Sequence, residues 1–153
     1  MKRIATTLLA GLILMQLATS HAAEWLTDLP KAQAQAKKEN KLVLLDFTGS
    51  DWCGWCIKLN KEVFSQPEFA QYAATNLVLV EVDFPRKKAL SAEQKAANQA
   101  LAKKYEIEGY PTIIVLDAAR NKIGETGYQK GGPKAFIATL ETMKKMANKK
   151  PAK

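Results

Sequence analysis

The sequence predicts an α/β fold, because strand patterns and helix patterns follow one another along the chain. Two segments, Leu42–Phe47 and Leu77–Asp83, are almost continuously apolar, which is typical of strands buried on both faces of a sheet. Helix-start signals stand before, between and after these two segments. A chain that alternates in this way is expected to form a sheet covered by helices.

A first helix is predicted ahead of the first strand. Thr27 or Asp28 is a suitable N-cap, and Pro30 fits the first turn, where the N–H that proline lacks would be unpaired in any case. Asn40 or the following Lys41 is expected to end this helix.

Three more helices are predicted in the middle of the chain. Ile57 is expected to supply an apolar contact in the first of them, and the last begins with a capping-box pattern. The predicted helices run from Cys53 to about Val63, from Ser65-Gln66-Pro67-Glu68 to about Ala74, and from Ser91-Ala92-Glu93-Gln94 to about Tyr105.

The last part of the chain predicts two strands and one helix. Pro111 stands just before the strand Ile113–Leu116, and proline is tolerated at the start of a strand. Lys122–Tyr128 is predicted to be a short strand. After Gly131-Gly132-Pro133, apolar residues recur at helical spacing as far as Met146, and we expect this stripe to pack in the core.

Residues 1–22 have the features of a secretory signal peptide. The pair Lys2-Arg3 precedes an apolar run that ends near Leu17, and Ser20-His21-Ala22 offers the small residues that a signal peptidase recognises. We therefore expect cleavage after Ala22 and a periplasmic location. An uncleaved N-terminal membrane anchor is the alternative interpretation.

Residues 23–153 then form one domain of ordinary size. We expect it to be ordered from about residue 24 to 146 and to end in a basic tail, Ala147–Lys153, that frays. Without Lys2 and Arg3 the formal net charge falls from +8 to +6. This charge is compatible with an acidic partner or an anionic lipid surface, or simply with lysines on solvated helix faces.

Loss of residues 1–22 would also remove His21, the only histidine. The domain then has no imidazole for Cys–His, Ser–His or zinc chemistry. Its chemistry is limited to thiols, carboxylates, amines and the backbone. We expect no cofactor, no metal and no nucleic-acid partner, and we expect a monomer.

The only two cysteines, Cys53 and Cys56, are separated by two residues at the predicted start of a helix. Such a helix start presents unpaired N–H groups and a positive dipole end to Cys53, and both favour the thiolate. Cys56 lies one turn further on the same side and can close a disulfide. The spacing indicates a redox-active dithiol; the alternatives are an inert disulfide and a metal shared between chains.

Asp46 is the single carboxylate inside the apolar segment Leu42–Phe47. A buried carboxylate is costly unless it has a partner or a function. We favour a role in moving the proton of the buried thiol, with Cys56 as the partner, because burial raises the pKa of a carboxyl group. The alternative is that Asp46 caps the following loop through hydrogen bonds from backbone N–H groups.

Taken together, these motifs resemble those of the thioredoxin superfamily, and in particular of exported bacterial thioredoxin-like proteins. The resemblance covers about residues 24–146. The motifs that carry it are Leu45-Asp46-Phe47, Trp52-Cys53-Gly54-Trp55-Cys56, Tyr110-Pro111-Thr112 and Gly127. The resemblance implies a three-layer α/β/α sandwich with a central mixed sheet.

The same resemblance implies a role for each site residue. Cys53 would be the exposed nucleophile and Cys56 the resolving thiol. Pro111 would be cis and would face the dithiol, with the backbone of Tyr110 offering hydrogen bonds to an extended substrate segment. Trp52 and Trp55 would flank the sulfurs as a contact surface for protein substrates, although Trp52 is equally suited to packing.

The predicted function is thiol-disulfide exchange with protein disulfides. The pair Gly54-Trp55 between the cysteines and the lack of a histidine there favour a reductase or an isomerase. A membrane thiol relay is the expected electron donor. The alternative is a binding module or holdase that keeps the fold but has little redox turnover.

Overall fold

The computed structural model describes residues 23–149. The predicted signal peptide, residues 1–22, and the last four residues of the predicted tail lie outside this range. In the described part of the chain, no helix is both long enough and apolar enough to cross a membrane.

Five strands and five α-helices make up the described chain, and a π-helical turn directly continues the second helix. In chain order they are β1 (Trp25–Leu26), α1 (Leu29–Glu39), β2 (Leu42–Thr48), α2 (Gly54–Leu59), the π turn (Asn60–Phe64), α3 (Pro67–Asn76), β3 (Leu77–Asp83), α4 (Ala92–Lys104), β4 (Thr112–Leu116), β5 (Lys122–Thr126) and α5 (Gly132–Lys149).

The strands form one mixed sheet in the order β1-β3-β2-β4-β5. β3 pairs in parallel with β1 and β2, whereas β4 pairs antiparallel with β2 and β5. Two apolar clusters cover the two faces: one packs the sheet against α2, α3 and α5, and the other packs it against α1 and α4. The predicted α/β/α sandwich with a central mixed sheet is therefore confirmed.

Alternation along β2 decides which side chains face the cysteine helix. Leu44 belongs to the cluster that contains Leu59 of α2, whereas Leu45 and Phe47 belong to the cluster on the opposite face. Since successive side chains of a strand point to opposite faces, Asp46 lies on the same face as Leu44. The strand thus directs its one carboxylate towards α2.

The predicted helix ends agree with the structure at three positions. The Asp28 side chain accepts the N–H of Lys31 and caps α1, and Asn40 ends that helix in the left-handed conformation at φ 52°. The Ser91 hydroxyl accepts the N–H of Gln94 and caps α4. Each such cap contributes about 1 kcal/mol to stability.

Several sequence predictions were wrong in detail. β1 was missed, because two residues are too few to show a periodic pattern. Met146 is 67% exposed, so it does not pack in the core as expected, and Ile57, which was expected to supply an apolar contact, is 49% exposed. Helix α5 continues to Lys149, past the predicted start of the frayed tail at Ala147, and β5 ends at Thr126 rather than at Tyr128.

The helix that begins after Cys53 also differs from the prediction in its second half. Residues Asn60–Phe64 form a π turn, in which the N–H of Ser65 donates to the carbonyl of Asn60 at 2.8 Å. The Ser65 hydroxyl also donates to the Asn60 side chain at 2.6 Å. A π turn is one residue wider than an α turn, and such turns are frequent beside functional sites.

Candidate active site

Cys53 and Cys56 are joined by a disulfide at the beginning of α2, with their Cα atoms 5.2 Å apart. Cys53 is the N-cap of the helix, and its Sγ accepts the backbone N–H of Cys56 at 3.3 Å. The helix start therefore directs a donor at the Cys53 sulfur, as the sequence indicated. In the reduced protein this donor and the positive end of the helix dipole would stabilise a Cys53 thiolate.

Cys53 is less accessible than the sequence predicted. In the disulfide form its exposed fraction is 7%, against 4% for Cys56, so the expectation of an openly exposed nucleophile is wrong for this state. The Cys53 sulfur is bonded to that of Cys56 and also accepts the Cys56 N–H. Both cysteines are therefore buried in the disulfide state.

Asp46 is buried in β2 on the face that packs against α2, with 7% of its surface exposed. Burial raises the pKa of this carboxyl from 3.8 to about 8, and the charges of Glu81 and Asp83 contribute to the increase. Among the described residues its Oδ1 has no hydrogen-bond partner. A carboxyl group with a pKa near that of a thiol is suited to exchange a proton with one.

The loop-capping role left open for Asp46 is held instead by Asp83 at the end of β3. The Asp83 carboxylate accepts the N–H and the hydroxyl of Ser50 at 2.9 and 2.6 Å. These two bonds tie the loop that precedes Cys53 to the neighbouring strand. Asp46 is thereby free of the structural role that the sequence allowed.

A cavity of about 420 Å³ connects Asp46 with the buried thiol position. Asp46, Cys56 and Glu81 all line it, and so do Asn60 and Lys61 of the π turn. The cavity is large enough to hold water, and its lining is rich in polar groups that can bind water. The complete lining is Asp46, Thr48, Ser50, Cys56, Ile57, Asn60, Lys61, Ser65, Gln66 and Glu81.

Glu81 is a site residue that the sequence analysis did not identify. It is the direct register partner of Asp46 in the parallel pairing of β2 and β3. It follows Leu79, which faces the α2 side, and it lines the same cavity as Asp46. Burial and the charge of Asp83 raise the pKa of Glu81, while Lys88 opposes the increase. Its position in a mostly apolar strand was the signal that could have identified it.

Trp52 and Tyr110 lie together beside the dithiol. Their rings meet edge to face with centroids 5.9 Å apart, and Tyr110 also packs on Phe84 at 5.3 Å. The Tyr110–Pro111 peptide bond is cis, as expected from the resemblance. Trp52, the residue before Cys53, thus brings the turn with Pro111 next to the cysteine loop.

The Trp52 indole is fixed in place from two sides. Its Nε1–H donates to the carbonyl of Phe84 at 2.7 Å. Its ring lies so close to Gly49 that a Cβ on that residue would come within 2.5 Å of it. Only glycine fits at position 49, and Trp52 has the packing role that the sequence analysis considered.

Trp55 forms the outer part of this surface. It is 57% exposed, its ring lies 5.0 Å from that of Tyr128, and the Lys58 ammonium sits over both rings at 5.2 and 5.1 Å. Ile57, also exposed, extends the apolar area towards the cavity. Trp55 is thereby positioned to contact a bound protein. Tyr128 and Lys58 were not foreseen, because the strand that leads to Tyr128 is far away in sequence.

No group of three or more His, Cys, Asp or Glu side chains within residues 23–149 is arranged to hold a metal ion. The chemistry that this geometry supports is that of the dithiol and the neighbouring carboxyl group.

The chain is similar to known proteins both in sequence and in structure. The family of thioredoxin-like domains matches residues 29–144. The disulfide bond reductase DsbH of Chlamydia pneumoniae is 35% identical over 116 residues, which cover 76% of this chain and 70% of DsbH. A solved structure of a DsbH oxidoreductase superposes with a TM-score of 0.74 at 34% identity, covering 88% of this chain and 94% of the other.

A second type of relative is much longer than this chain. The thiol:disulfide interchange protein DsbD of Cronobacter sakazakii is 41% identical over 96 residues, or 63% of this chain, but these residues are only 15% of DsbD. The residues that the family of thioredoxin-like domains matches, 29–144, include both cysteines. The chain belongs to the family of thioredoxin-like domains, and it is a thiol-disulfide oxidoreductase whose CxxC pair is Cys53 and Cys56.

Proposed function

We propose that this oxidoreductase is an exported reductase of protein disulfides. The observation that carries the proposal is the contact of the Cys56 N–H with the Cys53 sulfur at a helix start beside an aromatic surface. The relative with the name disulfide bond reductase supports the direction, as does the pair Gly54-Trp55 without a histidine. Isomerisation of disulfides uses the same first step.

In the first step the Cys53 thiolate attacks one sulfur of a substrate disulfide. A bond forms between Cys53 Sγ and that sulfur, the substrate S–S bond breaks, and the other substrate sulfur leaves as a thiolate that takes a proton from solvent. The Cys56 N–H and the helix dipole keep Cys53 ionised for this attack.

In the second step Cys56 resolves the mixed disulfide. Its thiol gives up a proton to the carboxylate form of Asp46, directly or through water in the shared cavity, and the thiolate attacks Cys53 Sγ. The Cys53–Cys56 disulfide forms and the second substrate thiol is released. Two electrons have passed from the dithiol to the substrate, and the protein is left in the disulfide state described here.

The substrate segment is proposed to lie across Trp52, Trp55 and the turn with Pro111. Both Tyr110 and Pro111 are half-buried and so remain partly accessible. The backbone of Tyr110 is proposed to pair with an extended segment that carries the target disulfide. Trp55 and Ile57 offer apolar contact to partly folded proteins.

The proposed site of action is the periplasm, reached through the signal peptide predicted in residues 1–22. A reductase in an oxidising compartment must be reduced again after each turnover. A membrane thiol relay is proposed as the dithiol donor. Trapping with Cys56→Ala, which leaves the mixed disulfide unresolved, would identify substrate and donor; a trap that recovers no thiol relay argues against this donor.

Reduction of insulin by dithiothreitol tests the central claim. We expect the wild-type protein to accelerate it and Cys53→Ala to give the uncatalysed rate. Reduced Cys56→Ala, mixed with insulin after removal of dithiothreitol, should accumulate a mixed disulfide. Equal rates for wild type and Cys53→Ala would remove the reductase proposal. A redox titration should place the dithiol nearer to about −270 mV than to −120 mV.

A holdase remains the second candidate, favoured by the exposed Trp55 and Ile57. The double variant Cys53→Ser/Cys56→Ser separates the two functions. A holdase would suppress the aggregation of an unfolded protein equally well with and without the cysteines. A reductase would lose its activity in the double variant.

A further inference from the structure

A basic loop stands beside the dithiol and has no part in the mechanism above. It consists of Phe84–Lys88 and follows β3, and its three cations, Arg86, Lys87 and Lys88, are all exposed. The parallel register that places Thr48 opposite Asp83 makes the cysteine loop and the basic loop leave the same edge of the sheet. The two loops are therefore neighbours because of the sheet topology.

The basic loop is fixed to the cysteine loop by backbone hydrogen bonds. The Asp51 carboxylate accepts the N–H groups of Arg86, Lys87 and Lys88 at 2.9, 2.7 and 3.1 Å. The bond from Arg86 is the leading cause that lowers the pKa of Asp51, which thus stays ionised at neutral pH. The N–H of Phe84 donates to the carbonyl of Thr48 at 2.9 Å and secures the start of the loop.

Arg86 places a positive charge against Trp52, the residue next to the nucleophile Cys53. Its guanidinium lies 3.9 Å from the centre of the Trp52 ring, and Trp52 directly precedes Cys53. On the other side of the dithiol, the Lys58 ammonium lies over Trp55 and Tyr128. The aromatic surface around the disulfide is therefore bordered by cations on both sides.

The acidic groups of this region are mostly paired with other groups. The Asp51 carboxylate accepts hydrogen bonds from the three N–H groups of the basic loop. Glu62 accepts the Tyr128 hydroxyl at 2.7 Å and lies 3.9 Å from Lys58. Lys88 lies 3.8 Å from Asp83, whereas the side chains of Arg86 and Lys87 have no carboxylate partner at this distance within residues 23–149.

We propose that the basic loop selects substrates, so that the protein prefers disulfides flanked by acidic residues. Arg86 and Lys87 attract a segment that carries Asp or Glu next to the target cysteine and hold it across Trp52 during attack by Cys53. A loop fixed by Asp51 presents these charges without the loss of freedom that a mobile loop would suffer on binding. Charge complementarity of this kind acts mainly on the association rate.

This inference rests on the proposed function and is tested with three synthetic peptides. Each contains the same intramolecular disulfide, flanked by Glu, by Gln or by Lys. Flanking charge also changes the intrinsic reactivity of a disulfide, so each rate is divided by the rate of the same peptide with dithiothreitol. We expect the reduced wild-type protein to prefer the Glu peptide over the Lys peptide by about tenfold at low salt, with the preference lost near 1 M salt.

Two variants with equal loss of charge complete the test. In Arg86→Gln/Lys87→Gln the bonds to Asp51 persist because they come from the backbone, and the preference should fall to about threefold or less. Lys37→Gln/Lys38→Gln removes two exposed charges at the end of α1, near the opposite end of β2, and should keep the wild-type preference. The inference would be overturned if the corrected ratio of Glu-peptide to Lys-peptide rates were one or less in the wild-type protein. Equal ratios in the two variants would overturn it as well.

The same peptides separate this inference from the reductase proposal. If the protein only oxidises the dithiol forms of the peptides, the reductase proposal fails. The ratio of Glu-flanked to Lys-flanked rates, measured in that direction, still decides the role of the basic loop.

Discussion

Asp46 and Glu81 lie directly opposite one another in the parallel pairing of β2 and β3 and line the same cavity as Cys56. The charge of Glu81 contributes to the raised pKa of Asp46, after the larger effect of burial. With a pKa of about 8, part of the Asp46 population is carboxylate near neutral pH, and this carboxylate can take the proton that the resolving thiol must lose. The sheet register therefore places this pair of carboxyl groups where it can act in the second step of the exchange reaction.

Glu81→Gln is expected to lower the pKa of Asp46 from about 8, because it removes the neighbouring charge that contributes to the increase. The pKa should stay well above 3.8, since burial of Asp46 is the larger cause. Titration of the Asp46 carboxyl carbon by NMR in the oxidised protein measures the change. Glu125→Gln, on the exposed strand β5, serves as the control and should leave the Asp46 pKa where it was.

Asp46→Asn should stabilise the oxidised protein at neutral pH and have little effect near pH 4. The folded protein keeps the Asp46 proton up to about pH 8, whereas the unfolded chain loses it near pH 3.8. The native state binds more protons between these values, so this group lowers stability as the pH rises through the window. At pH 7 the free energy of unfolding of the variant should exceed that of wild type by at most about 4 kcal/mol.

Denaturant unfolding of wild type and Asp46→Asn at pH 4, 7 and 8.5 checks this prediction. The difference between the two proteins should widen from pH 4 to pH 8.5. A constant difference across that range would show that the Asp46 carboxyl does not titrate in the folded protein as described.

Asp46→Asn should also slow the resolving step while leaving the first attack nearly unchanged. Asn cannot accept a proton from Cys56, and loss of a positioned base typically costs about 10²- to 10⁴-fold in the step it serves. In rapid-quench experiments with a disulfide peptide, the variant should accumulate the mixed disulfide on Cys53. Equal resolution rates in both proteins across pH 6 to 9 would contradict the proton role.

The sequence predicted four of the five strands and the start of the cysteine helix because each of them has a local signal, whereas the two-residue strand β1 has none. Asp46 was identified because it is the single carboxylate in the apolar segment Leu42–Phe47. The role of Glu81 was not predicted, because it depends on the register between β2 and β3, which places Glu81 opposite Asp46. The contact of Arg86 with Trp52 was missed for the same reason, since it joins two loops through tertiary structure. The helical stripe of apolar residues continues to Met146 in the sequence, although this side chain is 67% exposed in the structure.

Trp52→Phe should destabilise the protein by about 1 to 2 kcal/mol. The change removes the hydrogen bond from Nε1 to the Phe84 carbonyl and weakens the contact with Arg86. Trp55→Phe is the matched control, because Trp55 is 57% exposed and has no such hydrogen bond to Phe84; it should change stability by less than about 0.5 kcal/mol. Thermal unfolding of both variants measures the difference. Similar losses of stability in the two variants would mean that the hydrogen bond from Trp52 to the Phe84 carbonyl contributes little to the stability of the fold.

Asp51→Ala should release the basic loop while the sheet stays intact. The substitution removes the acceptor of the N–H groups of Arg86, Lys87 and Lys88, whereas the bonds of Ser50 to Asp83 remain. Hydrogen exchange at these three amides should become at least tenfold faster, with exchange at the β3 amides unchanged. Because a released loop no longer holds Arg86 against Trp52, the preference for the Glu-flanked peptide should fall as well. Faster exchange with an undiminished preference would show that the loop charges select substrates without being fixed in place.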